Sequence, residues 1–384
     1  MRFRSLTETE FRNFAKTSPY KSFAETPEIA KHRESSGWTA YYLGVEEDGK
    51  LLAATLLIAK PTFLGKSTFI APGGPLLDLE NKPLTDFFLK NLKKFAKTHN
   101  GYVLRIDPYY EVVERKRNGE VAENGFNHKI AEENLKNLGF KPAPGSGQPK
   151  YSFVLDIKNR TKDQIFAEMK RNTRNHIRKA EKMGVKVREL KREELKIFKQ
   201  ITESTSLRRH FSDKPLSYYE QMYDLFTPRG EVKFMLAEAT GVAECATCSA
   251  GHEDLARAAR SVPEGHAVHS VTPIPLSAAM FMLYGDEVIY LFSGSDEKYM
   301  KDYNAQYLIQ WHMIKFAADQ GFKRYNFYGI NGLPDPSSKD YGIYDFKKGF
   351  TSEETGRVTE LIGAHEAPLS PFFHLHKLLQ KLHP

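Results

Sequence analysis

Cysteine is nearly absent. Cys245 and Cys248 are the only two in 384 residues, and they sit three apart. No disulfide framework is available, so a reducing cytoplasm suits the chain. Long apolar runs are missing too: none could span a bilayer. The opening MRFRSLTETEF has no apolar core of signal-peptide length. A soluble cytoplasmic protein is therefore expected. Two catalytic devices are also lacking. There is no nucleophile elbow around a serine or cysteine, and no Walker or kinase glycine loop that would indicate ATP use. No glycine-rich turn opens a helix as a pyrophosphate cradle. The GGP at residues 73–75 runs on into strand-like Leu76-Leu77-Asp78, which speaks against an acetyl-CoA donor.

What is present is positive charge. Lys and Arg number 56 against 48 Asp and Glu, a formal charge of +8, which favours an anionic partner: nucleic acid, a nucleotide or an acidic membrane surface. The charge concentrates in TKDQIFAEMKRNTRNHIRKAEKMGVKV, residues 161–187. Thr161 with Gln164 forms a capping-box pattern, so one helix is expected from there to about Gly184. Ile165, Phe166, Met169, Ile177 and Ala180 would make its buried stripe. Beside that stripe Arg171, Arg174, Arg178 and Lys182 recur at spacings of three, four and four, flanked by Lys170 and Lys179. A solvated basic face is the plain reading. A phosphate-contacting face, and so a tRNA-binding one, is the sharper reading, because guanidinium forks suit phosphate oxygens.

The rest alternates short strands and helices. Thr26-Pro27-Glu28 reads as a helix start carrying Lys31, His32 and Arg33. Residues 41–61 read as a hairpin turning at Asp48-Gly49. The helix PLTDFFLKNLKKFAKTHNG leads into the buried strand YVLRIDP, ending at Asp107-Pro108. The second half repeats this order. KFAKTHNGYVLRIDP aligns with KFAADQGFKRYNFYG, and LLAATLLIA with PLSAAMFML, which indicates an internal duplication of one α/β unit. The expected units are residues 1–152 with 359–384, and residues 153–358. Residues 241–271 interrupt the second with a segment lacking Lys, Phe, Tyr, Ile and Asn. There Cys245, Cys248, His266 and His269 resemble a zinc quartet in type. The two-residue gap between the histidines is short for a finger, however. A weakly ordered arm and no metal are expected. Asp107, at a strand end before a proline, is a candidate either to take a proton or to cap its loop. The glycine-flanked GIYDFKKGF reads as an extended passage close to a ligand.

Several segments resemble the Fem family of peptidoglycan-bridge aminoacyltransferases, often called FemX-like. They are SFAETPEIAKHRESSGW, GGPLLD, LRIDP, KRNTRNHIRKAEKMGVKV, YLFSGSDEKYMKDYNAQYLIQWHMIKFAADQGFKRYNFYGI and DYGIYDFKKGF. The resemblance implies an α/β fold of tandem acetyltransferase-like (GNAT) subdomains with mainly antiparallel mixed sheets. It implies an aminoacyl-tRNA donor and a peptidoglycan precursor as acceptor, either lipid II or UDP-MurNAc-pentapeptide, with peripheral association at the inner membrane face. The product would be an amide on the side-chain amine of the stem peptide, with no cofactor. Lys347, preceded by Phe346, matches the family's catalytic lysine. By looser matching, Lys31, Arg208, Arg209 and Tyr219 would bind the acceptor. Two other readings stand beside this one: an acetyl-CoA-dependent N-acyltransferase, and a non-catalytic protein binding tRNA or an anionic membrane through the basic helix.

Overall fold

A computed structural model describes residues 1–62, 65–240 and 273–375. In chain order it begins with β1 (Arg2–Ser5), α1 (Glu8–Thr17), α2 (Pro27–Glu34), β2 (Thr39–Glu47), β3 (Lys50–Pro61) and β4 (Ser67–Gly73). Next come α3 (Lys82–Thr98), β5 (Gly101–Pro108), β6 (Glu111–Lys116), α4 (Ile130–Asn137), β7 (Lys141–Pro142) and β8 (Tyr151–Asp156). The middle holds α5 (Lys162–Glu168), α6 (Arg171–Lys182), β9 (Val185–Glu189), α7 (Leu195–Arg209), α8 (Leu216–Phe226) and β10 (Val232–Ala239). After it follow β11 (Ile274–Tyr284), β12 (Glu287–Ser295), α9 (Glu297–Tyr303), α10 (Ala305–Asp319), β13 (Arg324–Ile330), α11 (Tyr341–Lys348), β14 (Gly356–Leu361) and β15 (His365–Pro368).

The strands make two sheets, ordered β1-β2-β3-β4-β5-β15-β7 and β6-β14-β8-β13-β12-β11-β10-β9. Six strands of each correspond: β1-β2-β3-β4-β5-β15 matches β9-β10-β11-β12-β13-β8. In both sets the neighbours are antiparallel except one parallel pair, β4/β5 and β12/β13. That pair is joined by the crossover helix, α3 in one unit and α10 in the other, as a parallel connection requires. The chain is thus a duplicated mixed α/β unit. The short turn at Asp48-Gly49, both in the left-handed region (φ 49° and 77°), corresponds to the connection between β10 and β11. Residues 241–271, with Cys245, Cys248, His266 and His269, lie outside the described residues apart from this placement.

One strand departs from the expected division. β6 lies within residues 1–152 yet pairs with β14 in the second sheet, while β15, from residues 359–384, pairs with β5 in the first. The two sheets also share a core. Ala54, Leu56 and Ile58 of β3 and Ala278, Met280 and Met282 of β11 meet in one apolar cluster with residues of α1, α2, α7 and α8. Their alternates, such as Leu57 and Phe281, face separate cores. Period-two alternation over two apolar faces explains why these strands read as continuous hydrophobic runs. Fully burying a Leu, Ile or Met side chain there contributes about 1.5–3 kcal/mol. Among the described residues no helix is long and apolar enough to cross a membrane.

Two local expectations need correction. The basic stretch is two helices, α5 and α6, not one. The capping box at Thr161–Gln164 forms, but Met169 and Lys170 are extended (ψ 151° and 142°). The cause is tertiary: the Lys170 N–H donates to Gly349 O at 2.9 Å instead of to its own helix. The GIYDFKKGF segment is largely helical, not extended, because Tyr344 and Lys347, three apart, share the buried face of α11.

Candidate active site

The parallel pair in the second sheet is short. β4 and β5 stay paired from Ser67–Gly101 to Gly73–Pro108. β12 and β13, by contrast, pair at Glu287–Ile289 with Arg324–Asn326 and then part. Beyond Asn326 the register of β13 against β8 also shifts. In that bulge Tyr328 adopts a left-handed φ of 62°, a conformation a bulky residue keeps only where its surroundings enforce it.

Lys347 reaches this bulge from α11. It is 5% exposed, and its Nζ donates to Gly329 O at 2.6 Å and lies 3.5 Å from Tyr328 O. No carboxylate among the described residues pairs with it. Burial alone therefore pushes its ammonium down to about 7. Lys348, the next residue, is half-buried with its Nζ over the Tyr344 ring. Phe346 packs edge-on against Tyr307 and Phe350.

Asp107 ends β5 and is buried. Its carboxylate accepts from the Ser146 hydroxyl and from Gly147 N–H. Desolvation still prevails, raising it above the usual carboxylate range, with those hydrogen bonds opposing. The same loop meets the bulge: the Tyr328 hydroxyl lies 3.1 Å from Gln148 Oε1 and 3.3 Å from Gly147 O. Burial raises the Tyr328 phenol, and the charges of Asp107 and Tyr218 add to that. Lys347 thus meets the backbone of Tyr328, while the loop that holds Asp107, 240 positions away in the sequence, meets its hydroxyl.

The basic helix docks beside this centre. Lys170 pairs with Asp345 at 2.6 Å. A Cβ on Gly349 would come 2.3 Å from Thr173 Oγ1, so α6 and the end of α11 touch where only glycine fits. The ring of His176 on α6 lies 4.6 Å from Tyr307. Arg171 and Lys182 are exposed, and Arg178 lies over the Phe166 ring. Arg174 behaves differently: its guanidinium caps the α5 end by donating to Ala167 O and Met169 O.

The acceptor candidates divide. The elements carrying them do meet, since His32 Nδ1 on α2 lies 2.7 Å from Gln221 Oε1 on α8. Lys31 is exposed and 3.5 Å from Glu8. Arg208 lies 3.8 Å from Glu297, and Arg209 is exposed. Tyr219 is instead a core residue: it is 0% exposed, and its hydroxyl donates to Asp213 at 2.5 Å. The half-buried tyrosine on the site side is its neighbour Tyr218, whose ring packs against His32. Sequence reasoning missed Tyr218, Tyr328, Ser146 and Gln148. The glycines around Ser146 and the Tyr-Gly step inside a buried strand were the available signals.

The FemAB family model matches residues 6–260 and 246–381. The chain belongs to the FemAB family. It is 28% identical to aminoacyltransferase FemA of Staphylococcus aureus (strain MRSA252), over all of this chain and 99% of that one. It is also 28% identical to aminoacyltransferase FemA of Staphylococcus epidermidis (strain RP62A), over the whole of both. Among solved structures it resembles FemX, with TM-score 0.78, 23% identity, and coverage of 98% of this chain and 99% of that one. A tandem GNAT protein from clavulanic acid biosynthesis matches at TM-score 0.52 and 10% identity, covering 96% and 99%. The fold is therefore that of tandem GNAT-like units.

Proposed function

We propose that this FemAB-family aminoacyltransferase of peptidoglycan-bridge synthesis takes its aminoacyl group from tRNA. It passes the group to the side-chain amine of a precursor stem peptide. In the reaction the amine nitrogen attacks the ester carbonyl, and a tetrahedral oxyanion forms. The C–O bond to the ribose then breaks and the amide is left. The ammonium formed by attack loses a proton, and the departing ribose oxygen gains one. Asp107 is the group we assign to accept the first proton, and Lys347 the group to stabilise the oxyanion and protonate the leaving oxygen.

The observation that carries this reading is Lys347: a buried lysine without a carboxylate partner among the described residues, poised near neutrality, at the point where the parallel strands part. A residue so perturbed, beside a second shifted group, is a functional-site signature. The exposed Arg171, Arg178 and Lys182 support tRNA contact at the same mouth. The α2/α8 end, with Lys31, Arg209 and Tyr218, supports precursor binding. Beside it Leu207 and Phe211, 72% and 52% exposed, support peripheral contact with an anionic membrane face, and flotation with anionic vesicles tests that part. The main test supplies the purified enzyme with charged tRNA and labelled precursor, and in parallel with acetyl-CoA. Aminoacylation of the labelled precursor by charged tRNA, with none by acetyl-CoA, supports the proposal; modification by acetyl-CoA alone refutes it.

A further inference from the structure

We propose that Tyr328 is a positioning residue that holds Lys347 and the Asp107 loop in fixed register. The inference rests on reading Lys347 and Asp107 as the reacting groups. Tyr328 contacts both sides with different parts of itself. Its left-handed backbone (φ 62°) presents its own carbonyl and that of Gly329 to the Lys347 ammonium at 3.5 and 2.6 Å. Its N–H is anchored by Asn326 Oδ1 at 2.7 Å, so the bulge cannot relax by rotating that peptide.

The side chain does the second half. The Tyr328 hydroxyl engages Gly147 and Gln148. Gly147 N–H is in turn a donor to Asp107. The loop is also pressed onto the bulge: a Cβ on Gly329 would approach Pro149 Cβ to 2.9 Å. A left-handed tyrosine costs on the order of 1–3 kcal/mol, and simple bulge formation would be met more cheaply by glycine or asparagine. The phenol is what those residues would lack.

Tyr328→Phe keeps the ring and removes the hydroxyl. The expected result is a fall in kcat of about tenfold to a hundredfold, as for a small misplacement of reacting groups. KM for both substrates and the melting temperature should hold. Gln148→Ala should reproduce the loss, and the double variant should be no slower than either single one, because both cut the same link. Wild-type kcat in Tyr328→Phe, with Lys347→Met inactive, overturns the inference and leaves the reading of Lys347 intact. Additive losses accompanied by a lowered melting temperature also overturn it, assigning Tyr328 to stability alone. A fully active Lys347→Met variant refutes the reading itself, and this inference with it.

Discussion

Lys347 Nζ sits 2.6 Å from the carbonyl oxygen of Gly329. A lysine whose contacts are neutral carbonyls is solvated by dipoles and not neutralised by a partner. It keeps its charge available for one that appears during the reaction.

That arrangement makes activity depend on pH at both limbs. The acid limb belongs to Asp107, which must be ionised and whose carboxyl is raised above the usual range by burial. The alkaline limb belongs to Lys347, which must be protonated and is pushed down to about 7. A profile of kcat/KM, which reports the free enzyme, should therefore be bell-shaped. Asp107→Asn should remove the acid limb and leave the alkaline one.

Stability carries the same signature. Between about pH 7 and the ordinary lysine value of 10.5, the unfolded chain binds the Lys347 proton and the folded chain does not. Wild-type stability should therefore rise through that window. Denaturant titrations of Lys347→Met over the same range should show a flatter rise.

Much of this was legible in the sequence. Caps at Thr26 and Thr161, and the two-faced apolar runs of β3 and β11, exposed the elements and the duplication. Asp107 and Lys347 could be singled out, but not their proximity. The break at Met169–Lys170 was hidden because helical periodicity continues across it, and the competing acceptor, Gly349 O, lies 179 residues on. The loose match that points to Tyr219 cannot say which of two adjacent tyrosines faces the core. β6 was missed because its partner strand comes from the far end of the chain.

The arginines of α6 should separate by role. Arg171→Ala and Arg178→Ala are expected to weaken tRNA binding and to reduce the salt dependence by about one unit of slope per lost phosphate contact. Arg174→Ala removes the cap on Ala167 O and Met169 O and should instead lower the melting temperature. Binding isotherms at several salt concentrations, paired with thermal melts, distinguish the two.

Replacing residues 241–271 with a short Asn-Gly turn should leave the fold intact. β10 and β11 stay paired up to Ala239–Ile274, with one register shift between Ala237 and Glu238, and the equivalent strands β2 and β3 close with Asp48-Gly49. Shortening such a connection changes loop entropy little. A melting temperature within a few degrees of wild type is expected, while a large drop would show that the segment contributes to the core.

The most direct test is Lys347→Met assayed at saturating charged tRNA and precursor, with precursor affinity measured separately and Lys348→Met as the neighbour control. The expected result is a loss of turnover on the order of a hundredfold or more with precursor affinity kept, and a mild effect at Lys348. Full turnover at saturation with weakened precursor binding would make Lys347 a binding residue and contradict the account.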